Sequence, residues 1–230
     1  METSNHNTGT CLYCGAETRG LSFGHITFKA PEVCGKADCL AKADVDAQAA
    51  EIRRVTNSTP PLVVPPLYRD TDLERLSPKL ADVARNWTPL TGKGNLLIHG
   101  TTRTGKSRTA WHICKRLHPL PKVTHLSMRD VEFQLAEGYT RGTWHRIVDQ
   151  WCKDELLFID DLGKEKTTER TGSILFQLID ERTANALPTI ITTNHNGSAL
   201  GARFVEPETG AAFVARLREF YDAVSANTQS

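Results

Sequence analysis

Residues 95–107 read NLLIHGTTRTGKS, and this stretch decides the fold. A short apolar run, Asn95 to His99, leads into a glycine loop, Gly100 to Ser107, that fits the pattern GxxxxGK[ST]. Over 106–118, Ala110, Ile113, Cys114 and Leu117 then recur at helical spacing. Strand, glycine loop and helix in that order make a phosphate-binding unit. Glycine at position 105 lets the chain curl so that successive N–H groups face a polyphosphate. The helix N-terminus adds a dipole that favours an anion. A lysine at 106 can reach the β- and γ-phosphates, and a hydroxyl at 107 can ligate Mg²⁺. The expected ATP-binding set is Gly100, Thr101, Thr102, Thr104, Gly105, Lys106, Ser107 and Arg108. Arg103, in the loop's fourth position, must point away from the phosphates or touch something else.

Working outward, the run LLFIDDLG at 156–163 supplies the partner feature that such a loop needs. Asp160 is the expected Mg²⁺ holder, and Asp161 the group that orients or deprotonates the attacking water. The interval between loop and acids leaves room for a helix, a strand and a helix, which places another strand between the two in the sheet. The remaining strand candidates are 123–127 and 189–193. Asn194 ends the latter and can contact the γ-phosphate or the water, although asparagine also commonly ends strands in turns. Residues 172–186 place Leu175, Leu178, Ile179 and Arg182 on one helical face. In 210–220, GAAFVARLREF, Arg216 and Arg218 accompany an apolar face. One of them is a candidate finger for a neighbouring subunit's site, or both form a solvated basic face. Strands alternating with helices, and strands apolar throughout, predict an α/β fold with a parallel sheet covered on both faces.

The first 45 residues are different. Cys11 and Cys14 form C-x2-C, and Cys34 and Cys39 form C-x4-C. Two close pairs separated by a loop can build a tetrahedral thiolate site, for which Zn²⁺ is the default metal. His25 is a less favoured alternative ligand. So short a segment buries little core, so metal binding would supply much of its folding energy. STPPLVVPP at 58–66 reads as a stiff extended stretch. The expected division is a zinc module at 1–45, a linker at 46–67, an ATPase domain at 68–225 and a tail at 226–230.

The run from Asp160 to Asn194, with PPLYRDTDLERL before the core, resembles the bacterial helicase-loader (DnaC-like) and transposition-helper (IstB-like) branch of AAA+ ATPases over residues 65–222. The resemblance implies a P-loop AAA+ core. Lys106 and Ser107 then match the Walker A lysine and hydroxyl, Asp160 and Asp161 the Walker B acids, Asn194 the sensor-1 asparagine and Arg216 the arginine finger. Many AAA+ loops carry glycine where Arg103 stands, and a second arginine of some relatives is Ala212 here. The implied function is ATP hydrolysis in DNA replication by a helicase loader, with a transposition helper and a nucleotide-switched zinc adaptor as alternatives. A small-molecule P-loop kinase fits less well, given the asparagine-ended strand and the late arginine. The implied partners are a replicative helicase or other nucleoprotein machine, single-stranded DNA, and further copies of the chain in a ring or helix. The compact core suggests a phage or plasmid origin.

Composition constrains this reading. The chain has 230 residues, 39% apolar and 24% charged, with a formal net charge of +1. Whole-chain charge gives no nucleic-acid signal. Locally, residues 101–130 hold seven Arg or Lys and one Asp, modest support for contact with DNA. No apolar run approaches the roughly 18 residues of a membrane span, and the N-terminus lacks a secretory pattern. A cytoplasmic protein with reduced cysteines is expected.

Overall fold

The computed structural model describes residues 8–20, 22–23, 26–27, 29–70, 72–119 and 121–227. The chain divides into two compact units, 1–59 and 60–230. His25 lies outside the described residues.

The first unit has two small antiparallel pairs, β1 (Thr8–Thr10) with β2 (Glu17–Arg19), and β3 (Ser22–Phe23) with β4 (Ile26–Thr27). They are followed by one long helix, α1 (Ala37–Ser58). Alanine, glutamine, glutamate and arginine favour the helix through 46–58. The linker expected at 46–67 is therefore helical as far as Ser58, and only the proline-bearing part beyond it, before Pro66, is extended.

The second unit opens with α2 (Pro66–Arg69), a 3-10 turn (Leu73–Arg75) and α3 (Pro78–Asn86). Ser77 caps α3, accepting from Leu80 N–H, with proline at its first position. The alternating part runs β5 (Leu96–His99), α4 (Lys106–Leu117), β6 (Val123–Ser127), α5 (Met128–Arg141), α6 (Trp144–Lys153), β7 (Leu156–Leu162), α7 (Glu169–Ala184) and β8 (Thr189–Thr193). It closes with α8 (Gly197–Gly201), α9 (Pro207–Phe220) and β9 (Asp222–Ser225).

The five core strands are parallel, in the order β6-β7-β8-β5-β9. A strand does lie between the loop-bearing β5 and the acid-bearing β7, and it is β8. β6, which precedes β7 in sequence, takes the outer edge. Successive side chains on β7 divide between two apolar layers. Leu157 and Ile159 join the helices α5, α6, α7 and α9, while Leu156 and Phe158 join α3 and α4. Covering both faces in this way is what strands apolar throughout require.

One further feature departs from the sequence reading. Ala226 and Asn227 are not tail residues: Ala226 is buried, its N–H donates to His99 O at 2.7 Å, and Asn227 reaches the glycine loop. Arg182 shares the inward face of α7 with Leu175, Leu178 and Ile179, as the spacing predicts, and is wholly buried. Its guanidinium donates to Trp151 O and Asp154 O, both at 2.7 Å, to Pro188 O at 2.6 Å and to Thr189 Oγ1 at 2.9 Å. It thus satisfies carbonyls at the C-terminal end of α6, where a cation is favoured.

Candidate functional site

The glycine loop adopts the geometry its sequence calls for. Gly105 has φ +93° and is the N-cap of α4. The positive φ is what requires glycine; a Cβ there would also lie 2.5 Å from Leu76 Cδ2 and would push that side chain aside. Arg103 is also left-handed, with φ +66°, which explains why glycine is easier at this position. Of the two sequence expectations, pointing away from the phosphates or touching something else, the first does not hold. Arg103 lines the same cavity as Lys106.

That cavity, about 480 Å³, is walled by Leu67, Tyr68, Thr102, Arg103, Gly105, Lys106, Ser107, Arg108, Asp161, Lys164 and Asn194. Lys106 is buried, and its ammonium donates to Asn194 Oδ1 at 2.8 Å and to Thr101 O at 2.7 Å. Burial lowers its pKa, and Asp161 and Asp160 partly offset this. A phosphate offers the ammonium better partners than an amide oxygen and a carbonyl. Gly100, Thr101 and Thr104 are not on the cavity wall. The Thr101 N–H is held by Asn227 Oδ1 at 2.8 Å, Thr104 Oγ1 donates to Thr101 O, and Gly100 packs against Asn227. Arg108 sits over the Tyr68 ring, 5.9 Å from its centroid.

The two acids come together through a backbone irregularity. Neighbours on a regular strand point to opposite faces, so Asp160 and Asp161 could not both serve one cavity. The β7–β8 register breaks between Ile159 and Leu162, and Asp161 takes a left-handed φ of +57°. A bulge of this kind re-aims a side chain, and aspartate tolerates the conformation better than glutamate would. Thr192 on β8 pins both acids: its hydroxyl donates to Asp160 Oδ1 and accepts from the Asp161 N–H at 2.9 Å. Asp160 Oδ1 also accepts from Ser107 Oγ at 2.7 Å. Hydroxyl and carboxylate are thus already adjacent, a donor set that fits Mg²⁺ with its retained waters. Burial, then the neighbouring Asp160, raises the Asp161 pKa, while Lys164 and Lys106 act in the opposite direction.

The structure brings Lys106, Ser107, Asp160, Asp161 and Asn194 into one place, but Arg216 is elsewhere. Its Nε is 2.7 Å from Asp180 Oδ1 on α7, and its guanidinium lies over the Phe220 ring. It does not line this chain's cavity, and any finger role would be toward another copy. Sequence reasoning missed Tyr68, Thr192, Lys164 and Asn227. In the sequence Tyr68 lies in the segment before the core and Thr192 within an apolar strand run, and neither position signals a site. The basic stretch also looks different in three dimensions. Five of its seven cations, Arg103, Lys106, Arg108, Lys115 and Arg116, are engaged with carbonyls or the cavity, which leaves little free charge for DNA contact along it.

In the first unit, Cys11 and Cys14 lie in the turn between β1 and β2, and Cys34 and Cys39 flank the start of α1. The four Sγ atoms lie within 4.8 Å of one another, with Cys14 and Cys34 at 3.5 Å. A tetrahedral Zn²⁺–thiolate site places its sulfurs about 3.8 Å apart, so the donor set fits this ion. Amides of Cys34 and Tyr13 directed at Cys11 Sγ lower its pKa to about 6. Outside residues 21–28, Cys11, Thr18 and Cys39 are the buried residues among those described in this unit. Cys114 and Cys152 are buried core residues of the second unit.

A family model described as IstB-like ATP binding protein matches residues 75–230. The uncharacterized Escherichia coli K12 protein YdaV is 29% identical over 126 residues, which are 52% of this chain and 51% of YdaV. The chain thus matches about half of that relative's length. A Mycobacterium tuberculosis protein named as an ATP-binding protein in an insertion sequence is 22% identical over 212 residues, 88% of this chain and 79% of that one. Among solved structures, the DnaC helicase loader aligns with a TM-score of 0.57 at 20% identity, covering 70% of this chain and 99% of that one. DnaI aligns at 0.55 and 19%, covering 75% and 93%. The initiator DnaA bound to AMPPCP and single-stranded DNA aligns at 0.58 and 17%, covering 73% and 52%. At these identities the structural likeness shows the AAA+ fold. No helix of the described residues is long and apolar enough to cross a membrane.

Proposed function

The chain belongs to the IstB-like ATP-binding protein family, and on that premise we propose that it is a Mg·ATP-hydrolysing AAA+ subunit that loads a replicative helicase onto single-stranded DNA. The observation that carries the ATPase part is the convergence of Lys106, Ser107, Asp161 and Asn194 at one cavity, with Asp160 accepting from the Ser107 hydroxyl. In this reading the triphosphate lies along the glycine loop, and Lys106 exchanges Thr101 O and Asn194 for phosphate oxygens. Ser107 and Asp160 would hold Mg²⁺, which would supply charge neutralisation at the phosphates. Asn194 and Asp161 flank the position of the attacking water, and Asp161 accepts its proton. Arg216 of a neighbouring copy completes the site after leaving its ion pair with Asp180, which makes turnover depend on assembly.

The loader part rests on likeness of fold to the DnaC helicase loader and to DnaI. A second reading, a helper of DNA transposition, is favoured by the family model and by the insertion-sequence relative. Tagged protein incubated with purified replicative helicase tests the two. Loader function predicts co-purification with ATP, loss of the complex with ADP, and ATP-dependent assembly on single strands. Assembly on duplex DNA without helicase capture would support the transposition reading instead. In either case the thiolate module would hold one structural Zn²⁺ and offer a surface for a protein partner, since residues 1–54 carry nearly balanced charge.

A further inference from the structure

The turn after the acids carries a second lysine to the cavity. Lys164 lines it together with Lys106, and its Nζ is 3.9 Å from Asp161 Oδ2. The backbone beneath it is tightly fixed. Lys164 N–H donates to Asp161 O at 3.1 Å, and Arg203 clamps the turn, donating from Nε to Gly163 O at 2.8 Å and from Nη2 to Lys164 O at 3.0 Å. Gly163 has φ +79°, and a Cβ there would lie 2.9 Å from Leu200 Cδ1, so the turn is held against α8 as well. The side chain above this anchor is free to move, being 64% exposed. An ion pair so long and so exposed holds its partners weakly.

Charge balance says where that side chain belongs when the cavity is filled. Asp161 lines it, Asp160 accepts from the Ser107 hydroxyl that also lines it, and a terminal phosphate adds further negative charge. Among the cations lining the cavity, Lys106 alone is buried beside both acids, and the α9 arginine that could have helped is paired with Asp180. We propose that Lys164 is a second phosphate-binding cation of the same chain, released from Asp161 to the terminal phosphate when ATP binds and returned to Asp161 with ADP. The exchange moves one positive charge from Asp161 to the γ-phosphate and needs little energy, because the pair it breaks is weak. This inference rests on the ATPase reading and assigns to that site the discrimination between triphosphate and diphosphate.

The experiment compares the parent with Lys164→Gln and Lys164→Arg, using fluorescent ATP and ADP analogues with Mg²⁺ and single-turnover hydrolysis. Lys164→Gln is expected to weaken ATP-analogue binding about tenfold while ADP-analogue binding stays within about twofold, because one charge-assisted contact is lost from the γ-phosphate alone. Turnover should fall with it, and Lys164→Arg should restore both ATP affinity and turnover to within about threefold of the parent. Equal weakening for both nucleotides, or no change for ATP, overturns the assignment of Lys164 while leaving the ATP site in place. A parent that binds neither nucleotide overturns the site reading, and the Lys164 assignment with it.

Discussion

Replacing Thr192 by valine removes one hydroxyl from beneath both acids and leaves the shape of the strand unchanged. Valine is β-branched and of nearly equal volume, so β8 keeps its packing. Two bonds are lost, one donated to Asp160 Oδ1 and one accepted from the Asp161 N–H. A bond to a carboxylate is worth about 1.5–3 kcal/mol and one to an amide about 1 kcal/mol, while the added methyl recovers about 1 kcal/mol. The net expectation is a loss of about 2 kcal/mol. For a chain of this size that lowers the melting temperature by about 4–8 °C. The larger effect should be on chemistry. Without Thr192 the Asp161 amide loses its bond to β8, leaving the left-handed residue held only from the turn side, and a misplacement of about 1 Å at a reacting group can cost about 100-fold in rate. ATP affinity should change by less than about threefold, since Lys106 and the glycine loop are untouched. Thermal melts and single-turnover hydrolysis read both effects. Undiminished turnover, whatever the melting temperature, would refute the claim that Thr192 positions the acids.

The remaining expectations concern charge, burial and metal. Arg182→Met should destabilise the second unit by about 3–5 kcal/mol in urea melts, because four buried acceptors lose their donor; a loss below about 1 kcal/mol would show that these carbonyls find other partners. Asp161 has a raised pKa in the fold, so its charge works against stability at neutral pH, and that penalty disappears as pH falls below the folded value. Asp161→Asn should therefore melt higher than the parent near pH 7, with the gap closing under acid conditions, while turnover is lost; a gap that widens in acid would reverse the sign of this argument. Cys14→Ser should lower bound zinc, measured by elemental analysis, from one per chain, and a chelator should melt the first unit without removing the ATP response of the second. Unchanged zinc content in the variant would remove Cys14 from the ligand set.

The parts of this molecule visible in its sequence are those where chemistry demands particular residues at close spacing. GTTRTGKS, LLFIDDLG and the two cysteine pairs each specify a local geometry, and the structure places them as strand-loop-helix, strand end and sulfur cluster. What was not legible depends on contacts distant in sequence. Thr192 and Asp160 are 32 residues apart, and nothing in TIITT separates the threonine beneath the acids from its neighbours. The bulge that turns Asp161 toward Asp160 is a property of two paired strands. The spacing places Arg182 on an apolar helix face, and only the packing of α6 and α7 shows which acceptors it reaches. Helix α1 was missed for a different reason. Of its 22 residues only Cys39 is buried, so no apolar stripe announced it, and alanine-rich propensity was the available signal. Asn227 escaped because a polar residue near a chain end looks like tail until β9 brings it to the glycine loop.

Whether a triphosphate sits along that loop can be measured directly by following the thermal unfolding of the parent and of Lys106→Ala across a titration of Mg·ATP. At a hundredfold excess over Kd, binding stabilises the parent by about 2.7 kcal/mol, a rise of several degrees that Lys106→Ala should lack. Identical melting of the two proteins with and without ATP would contradict the account at its root.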